Sequence, residues 1–215
     1  MPNELRTKTV QTLQEFTDLI ESIRGDSPLW YRGCGKSSYP LLPTLYRHPV
    51  IHEIADLIGM ETAILSHFKQ RSVPYLTRNL PNDWEFLFLM QHFGVPTRLL
   101  DWTENPFIAL YFAITSAPSS FGSEGTEFLE DAALWMINPV SWNRHVLQYL
   151  SFAGGVLSVD DAQLSGYTPG GEGLMNKEAV ALFGIHNSPR IVAQRGVFTI
   201  FWAEHDSYGE CLCRG

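Results

Sequence analysis

The stretch Gln91-His92-Phe93-Gly94-Val95-Pro96-Thr97-Arg98-Leu99-Leu100-Asp101-Trp102-Thr103-Glu104-Asn105-Pro106-Phe107-Ile108-Ala109-Leu110-Tyr111-Phe112-Ala113 decides how the chain is read. Gly94 ends one apolar segment, and Pro96 disfavours helix at Val95. Asn105-Pro106 opens a second helix, because Asn can accept an orphan N–H at the cap and Pro has none to leave unpaired. From Phe107 to Ile114 no residue is charged, so this helix is expected to be buried on all sides. Between the two helices a short turn is expected, carrying His92, Thr97, Arg98, Asp101, Trp102 and Thr103. Polar groups crowded between buried helices are costly unless they pair with each other or meet a ligand.

Working outward, Thr12-Leu13-Gln14-Glu15 is a capping-box pattern. Leu13, Phe16, Leu19, Ile20 and Ile23 continue it at helical spacing up to Gly25. Residues 28–33 read as a short aromatic strand, and 34–50 as an irregular loop with three prolines. The apolar pattern from 51 to 68 predicts one helix or two, with a break at Gly59. Asn82 or Asp83 caps a helix over 84–93. Beyond the central stretch the chain reads as a small-residue loop at 117–126 and a strand at 132–137. A helix over 139–150 follows, opened by Asn138-Pro139. A glycine-rich run at 151–177 is expected to be either a mobile loop over a site or a hairpin decoration. Two β-rich runs close the pattern, at 179–185 and 190–202. The fold class expected is α+β, with a helical first half packed on a small mixed or antiparallel sheet. Its boundaries are a flexible start at 1–10, one domain at 11–204 and a tail at 205–215.

Composition narrows the function. The 215 residues are 45% hydrophobic and 18% charged, with a net charge of −8. Such a balance argues against general nucleic-acid binding, which needs a basic surface, but allows a small anion held by local arginines. No apolar run approaches bilayer length, so no membrane partner is expected. Cys34, Cys211 and Cys213 are too few and too unevenly placed for a disulfide framework, which points to a reduced, cytoplasmic protein. His48 and His52 flank Pro49 and lack further ligands, so no metal is expected. Gly33-Cys34-Gly35-Lys36-Ser37 resembles the end of a phosphate-binding loop. Tyr31 stands where that loop needs its first glycine, however, and Pro40 and Pro43 interrupt the helix that should follow.

Each polar candidate has two readings. Arg32, at the end of an apolar strand, is either an ion-pair partner of Asp101 or another acid, or a fork-shaped clamp on phosphate or carboxylate. His92 either complements a helix C-terminus or serves a site. Thr97, Arg98 and Asp101 either brace the turn or line a pocket, and Trp102 and Phe93 are either core aromatics or a stacking platform.

Tyr31-Arg32-Gly33, the run Tyr39 to Arg47, the run Gln91 to Pro106 and the run Arg190 to Phe198 together resemble the FRG domain, over about residues 10 to 202. The family's first motif is Phe/Trp-Arg-Gly, and Tyr31 holds its aromatic place here. Members resemble modules of bacterial and phage proteins, and often continue past the last strand, so a truncated form is expected. A weaker likeness is to the ADP-ribosyltransferase fold, whose core this chain is then expected to share. There, an Arg such as Arg32 meets the NAD pyrophosphate, and a Ser/Thr such as Thr103 precedes a helix like 109–113. The Glu which that fold places before its last strand is absent, since no acid stands from 187 to 201. What the resemblance implies is a nucleotide-like ligand, NAD first, with His92 and Asp101 in acid–base or orienting roles. Its binding set would be Tyr31, Arg32, Gly33, Thr97, Arg98, Trp102, Thr103, Gln194 and Arg195. ADP-ribosyl transfer or NAD glycohydrolysis in phage–host conflict would be the activity. The alternative is a non-catalytic sensing or protein-interaction module in which the polar cluster is a brace.

Overall fold

A computed structural model describes residues 6–76, 78–122, 125–168, 178–185 and 195–202. Five α-helices are present among these residues: α1 (Leu13–Ile23), α2 (Ile54–Ser72), α3 (Asp83–His92), α4 (Pro106–Thr115) and α5 (Pro139–Val146). Seven strands accompany them: β1 (Trp30–Cys34), β2 (Leu99–Thr103), β3 (Ser119–Gly122), β4 (Gly125–Phe128), β5 (Ala133–Ile137), β6 (Val180–Leu182) and β7 (Gly196–Ile200). Five of the strands form a sheet in the order β5-β1-β2-β7-β6, every neighbour antiparallel. Strands β3 and β4 make a separate hairpin. The expected α+β class therefore holds, with an antiparallel sheet.

Local chemistry sets the helix starts. Thr12 and Glu15 form the reciprocal capping box of α1. Asn82 caps α3 by accepting from Glu85 N–H at 3.0 Å. Asn105 and Asn138 cap α4 and α5, each followed by proline. Helix α2 runs unbroken through Gly59, which decides between the one helix and the two that the pattern allowed. A single glycine in a 19-residue helix costs only about 1 kcal/mol, and the buried stripe of Leu57, Glu61 and Leu65 outweighs it.

Three expectations are corrected. The supposed turn between α3 and α4 contains β2, a central strand hydrogen-bonded along its length to β7. Its period of two was hidden because Leu99, Leu100, Trp102 and Thr103 are all buried and only Asp101 is exposed. Helix α4 is not buried all round. Ala109 and Ala113 press on β1, whereas Phe107, Tyr111 and Ile114 are exposed. The small-residue loop at 117–126 includes strand β3 and the start of β4.

The glycine-rich run at 151–177 also differs from a mobile loop where it is described. Leu157, Leu164 and Tyr167 are buried in the core, and Leu157 forms a parallel bridge to Leu182. Residues 169–177 lie outside the described residues. The outer edge of β6 is closed by α5, whose Asn143 amide accepts from Ala181 N–H and donates to the Ala181 carbonyl, both at 2.8 Å. A side chain thus stands where another strand would pair. Among the described residues no helix is long and apolar enough to cross a membrane.

Candidate functional site

Strands β1 and β2 meet at one residue pair only, Tyr31 opposite Thr103. Beyond that pair the sheet opens, and a cavity of about 300 Å³ occupies the seam. By register, Tyr31, Gly33, Asp101, Thr103 and Phe198 share the face on which it lies. The end of α3 contributes Gln91 and His92, and α4 contributes Ile108, Ala109 and Phe112. Arg32, Trp102, Ser116 and Gly196 complete the lining.

Close packing gives the cavity its floor. A Cβ on Gly33 would lie 1.9 Å from the carbonyl oxygen of Ala109 and 2.6 Å from the Ala113 nitrogen. Only glycine lets α4 come this close to β1. Burial pushes the Tyr31 hydroxyl above its ordinary pKa of 10.0, so it is a neutral donor at the wall.

Arg32 donates from Nη1 to the backbone carbonyl of Asp101 at 2.6 Å, bridging the opened seam. The ion pair with the Asp101 carboxylate considered from sequence is not formed. Among the described residues no carboxylate pairs with Arg32. Its Nε is buried without a hydrogen-bond partner. So are the indole N–H groups of Trp30 and of Trp135, the latter directly opposite Arg32 on β5.

A short polar relay orients the acid at the cavity. The Thr97 hydroxyl donates to Gln91 Oε1 at 2.5 Å, and Gln91 Nε2 donates to Asp101 Oδ2 at 2.6 Å. Both functions of the Gln91 amide are thereby used, which fixes its orientation. Thr97 itself is fully buried and acts behind the cavity rather than in it. His92 lies in the last turn of α3, half-buried, with its ring edge-on to Phe93 at 5.0 Å. Thr103 lines the cavity and accepts from Asn105 N–H at 3.1 Å, tying the end of β2 to the cap of α4.

Arg98 is a correction. Its side chain is buried away from the cavity, with Nε 2.7 Å from Glu61 Oε1. Nη1 donates to the Phe201 carbonyl at 3.0 Å and Nη2 to the Tyr167 carbonyl at 2.6 Å. The guanidinium also lies over the Trp202 ring, 5.6 Å from its centroid. Burial opposes the charge, but Glu61, with Tyr46 and Tyr167, more than offsets this and holds the pKa above the ordinary arginine value. Every nitrogen faces a protein acceptor, so Arg98 braces α2, β2 and the segments before β6 and after β7. It lines no part of the cavity, and its acid is Glu61 rather than Asp101.

The stacking platform is divided as well. Trp102 is 3% exposed and its indole N–H donates to Thr199 Oγ1 at 3.0 Å, as a core residue does. Phe93 faces a different groove. Arg195 is exposed, with φ of 45°, and lines no part of the cavity. Gln194, like Arg190, Cys211 and Cys213, lies outside the described residues. The third segment reaches the cavity through Gly196 and Phe198 of β7 instead.

The sequence reading passed over Gln91, Phe198, the α4 lining and Glu61. For Glu61 a signal existed, since an acid between Leu57 and Leu65 at intervals of four falls on the buried face of α2. Phe112 and Ile108 carried none, as apolar helix residues rarely announce a cavity. Among the described residues no group of three or more His, Cys, Asp or Glu side chains could hold a metal ion.

No curated protein and no solved structure matches the chain. A family model described as FRG domain matches residues 27–121, narrower than the 10–202 expected from the motifs. The matched span holds β1, β2 and α4, and so most of the cavity lining together with Arg98 and Glu61. From its Tyr31-Arg32-Gly33 strand through the helix that Gly33 admits, the chain is similar to the FRG domain.

Proposed function

We propose that the cavity between β1 and β2 binds a nucleotide-like ligand, with NAD the candidate to test first. The observation that carries this reading is Arg32, a guanidinium in the wall of a cavity whose only protein partner among the described residues is a backbone carbonyl. A planar fork with donors to spare suits phosphate oxygens. At about 300 Å³ the cavity is at the small end of ligand sites. It suits one nucleoside portion, the rest of a dinucleotide extending past Arg32.

In this reading Tyr31 and Arg32 hold oxygen atoms of the ligand, and Gly33 keeps α4 seated against the floor beneath it. Asp101, held by Gln91, orients a ribose hydroxyl or takes a proton, with His92 of α3 in the same lining. NAD would supply a ribose–nicotinamide bond. Its hydrolysis would form a bond from water oxygen to the ribose carbon, with nicotinamide and one proton released, and ADP-ribosyl transfer would put an acceptor in place of water. The role extends, on the family resemblance, to phage–host conflict in the cytoplasm.

Calorimetry with NAD tests the proposal. Binding by the wild-type chain and its loss in Arg32→Ala are expected. Absence of binding, or binding unchanged in Arg32→Ala, overturns it.

A further inference from the structure

A second cavity of about 430 Å³ lies between the end of α2 and the outer side of α3. Phe68 of α2, Leu76 and Leu80 of the connection, and Leu89 and Phe93 of α3 form its walls. Phe93 is 67% exposed, and Tyr75 at the rim is 84% exposed. Large aromatic side chains left this open beside a cavity mark a surface that gains from being covered.

Two arginines also line it, Arg71 and Arg78. Arg78 is engaged by Glu85, a buried acid on α3. Arg71 has no acid partner among the described residues. Its place in the last turn of α2 favours a cation through the helix dipole, but does not account for the apolar hollow next to it. In a chain of net charge −8, an unpaired guanidinium at the mouth of an apolar cavity is complementary to an anion with a greasy body.

Size selects among occupants. A stable protein partner covers roughly 20–30 residues on each side, whereas nine residues line this cavity. Its volume instead falls within the range of small-molecule sites, about 300–1,000 Å³.

We propose that this groove is a binding site for a small amphiphilic monoanion, an alkyl or aryl body bearing one carboxylate or sulfonate, with Arg71 receiving the charge. The site is separate from the Arg32 cavity, yet α3 serves both. Gln91 and His92 line one, Leu89 and Phe93 the other, and the His92 and Phe93 rings are in contact. The proposal does not depend on NAD binding.

The test uses the full chain with two probes, anilinonaphthalene sulfonate, followed by its fluorescence, and decanoate, followed by amide chemical shifts. Expected are saturable binding of one probe per chain, displacement of the sulfonate by decanoate but not by decanol, and shifts centred on Leu76, Leu89 and Phe93. Arg71→Ala, an exposed change that leaves the core intact, is expected to weaken both probes about tenfold, the size of one charge-assisted hydrogen bond. Lack of saturable binding, equal displacement by decanol, or unchanged affinity in Arg71→Ala overturns the proposal. Loss of the probes in Arg32→Ala with none in Arg71→Ala places them in the other cavity and overturns it too.

Discussion

Two arginines of this domain begin from similar positions and end in opposite situations. Arg98 precedes β2 and Arg32 lies within β1, each in an apolar setting. Arg98 is enclosed by Glu61 and two backbone carbonyls, while Arg32 has one backbone carbonyl and a cavity at its side. The difference teaches that a buried charge is not in itself a sign of a site. What separates a brace from a site is the inventory of acceptors around it. Where a helix supplies an acid on its buried face, as α2 does with Glu61, the protein has completed the charge itself. Where the sheet opens and leaves guanidinium donors with space beside them, the charge is left for something else.

The contrast is broken most directly at Arg98. Arg98→Ala leaves Glu61 buried and unpaired, and urea unfolding is expected to show a loss of about 3–5 kcal/mol. Replacing both partners together, Arg98→Met with Glu61→Leu, is expected to recover most of that loss. A single variant as stable as wild type would mean that the pair is not a brace.

Gly33→Ala is the next largest effect. The new methyl group would meet the backbone of α4 at Ala109 and Ala113, which cannot rotate away. A destabilisation of about 1–3 kcal/mol is expected from overpacking, read as a lowered Tm. An unchanged Tm would show that α4 is not seated on β1 as described.

Gln91→Ala removes the middle of the Thr97–Gln91–Asp101 relay and is expected to cost about 1 kcal/mol. Its sharper readout is ligand affinity, expected to fall because Asp101 loses its orienting partner. Arg32→Ala is expected to change stability by no more than about 1 kcal/mol, one hydrogen bond's worth, while abolishing NAD binding. Should Arg32→Ala unfold the domain as Arg98→Ala does, the two arginines are alike and the contrast collapses.

The smallest effect is a pH dependence at Tyr31. Its folded pKa is raised by burial, so the folded chain holds the phenolic proton more tightly than the unfolded chain. That contribution is fully present below the ordinary value of 10.0 and is lost as pH rises through the raised one. Phenolate absorbance in Tyr31→Phe should lack one component that titrates above the ordinary value in wild type. A wild-type curve with no such component would show that Tyr31 is open to solvent.

Several features were readable from the chain because they rest on contacts within a few residues. The capping box at Thr12 and Glu15, the Asn-Pro starts of α4 and α5, and the Asn82 cap need only neighbouring backbone groups. The strand bearing Arg32 and the presence of β runs late in the chain follow from apolar patterning at short range. Strand β2 was not readable, since a strand buried on both faces loses its alternation and resembles any apolar run.

The amino-acid sequence by itself determined where helices begin, which arginines, acids and aromatics are available, and that Tyr31-Arg32-Gly33 and the 91–106 run belong to one family pattern. Tertiary structure alone decided which acid meets which arginine, because Glu61 and Arg98 lie 37 positions apart and meet only when α2 packs beside β2. It also decided that β1 and β2 part after a single pair, and that α3 turns Gln91 and His92 to one cavity and Leu89 and Phe93 to another. Pairing of charges and the opening of cavities depend on distances between segments remote in the chain. Short-range patterns fix no such distances until the sheet and helices have come together.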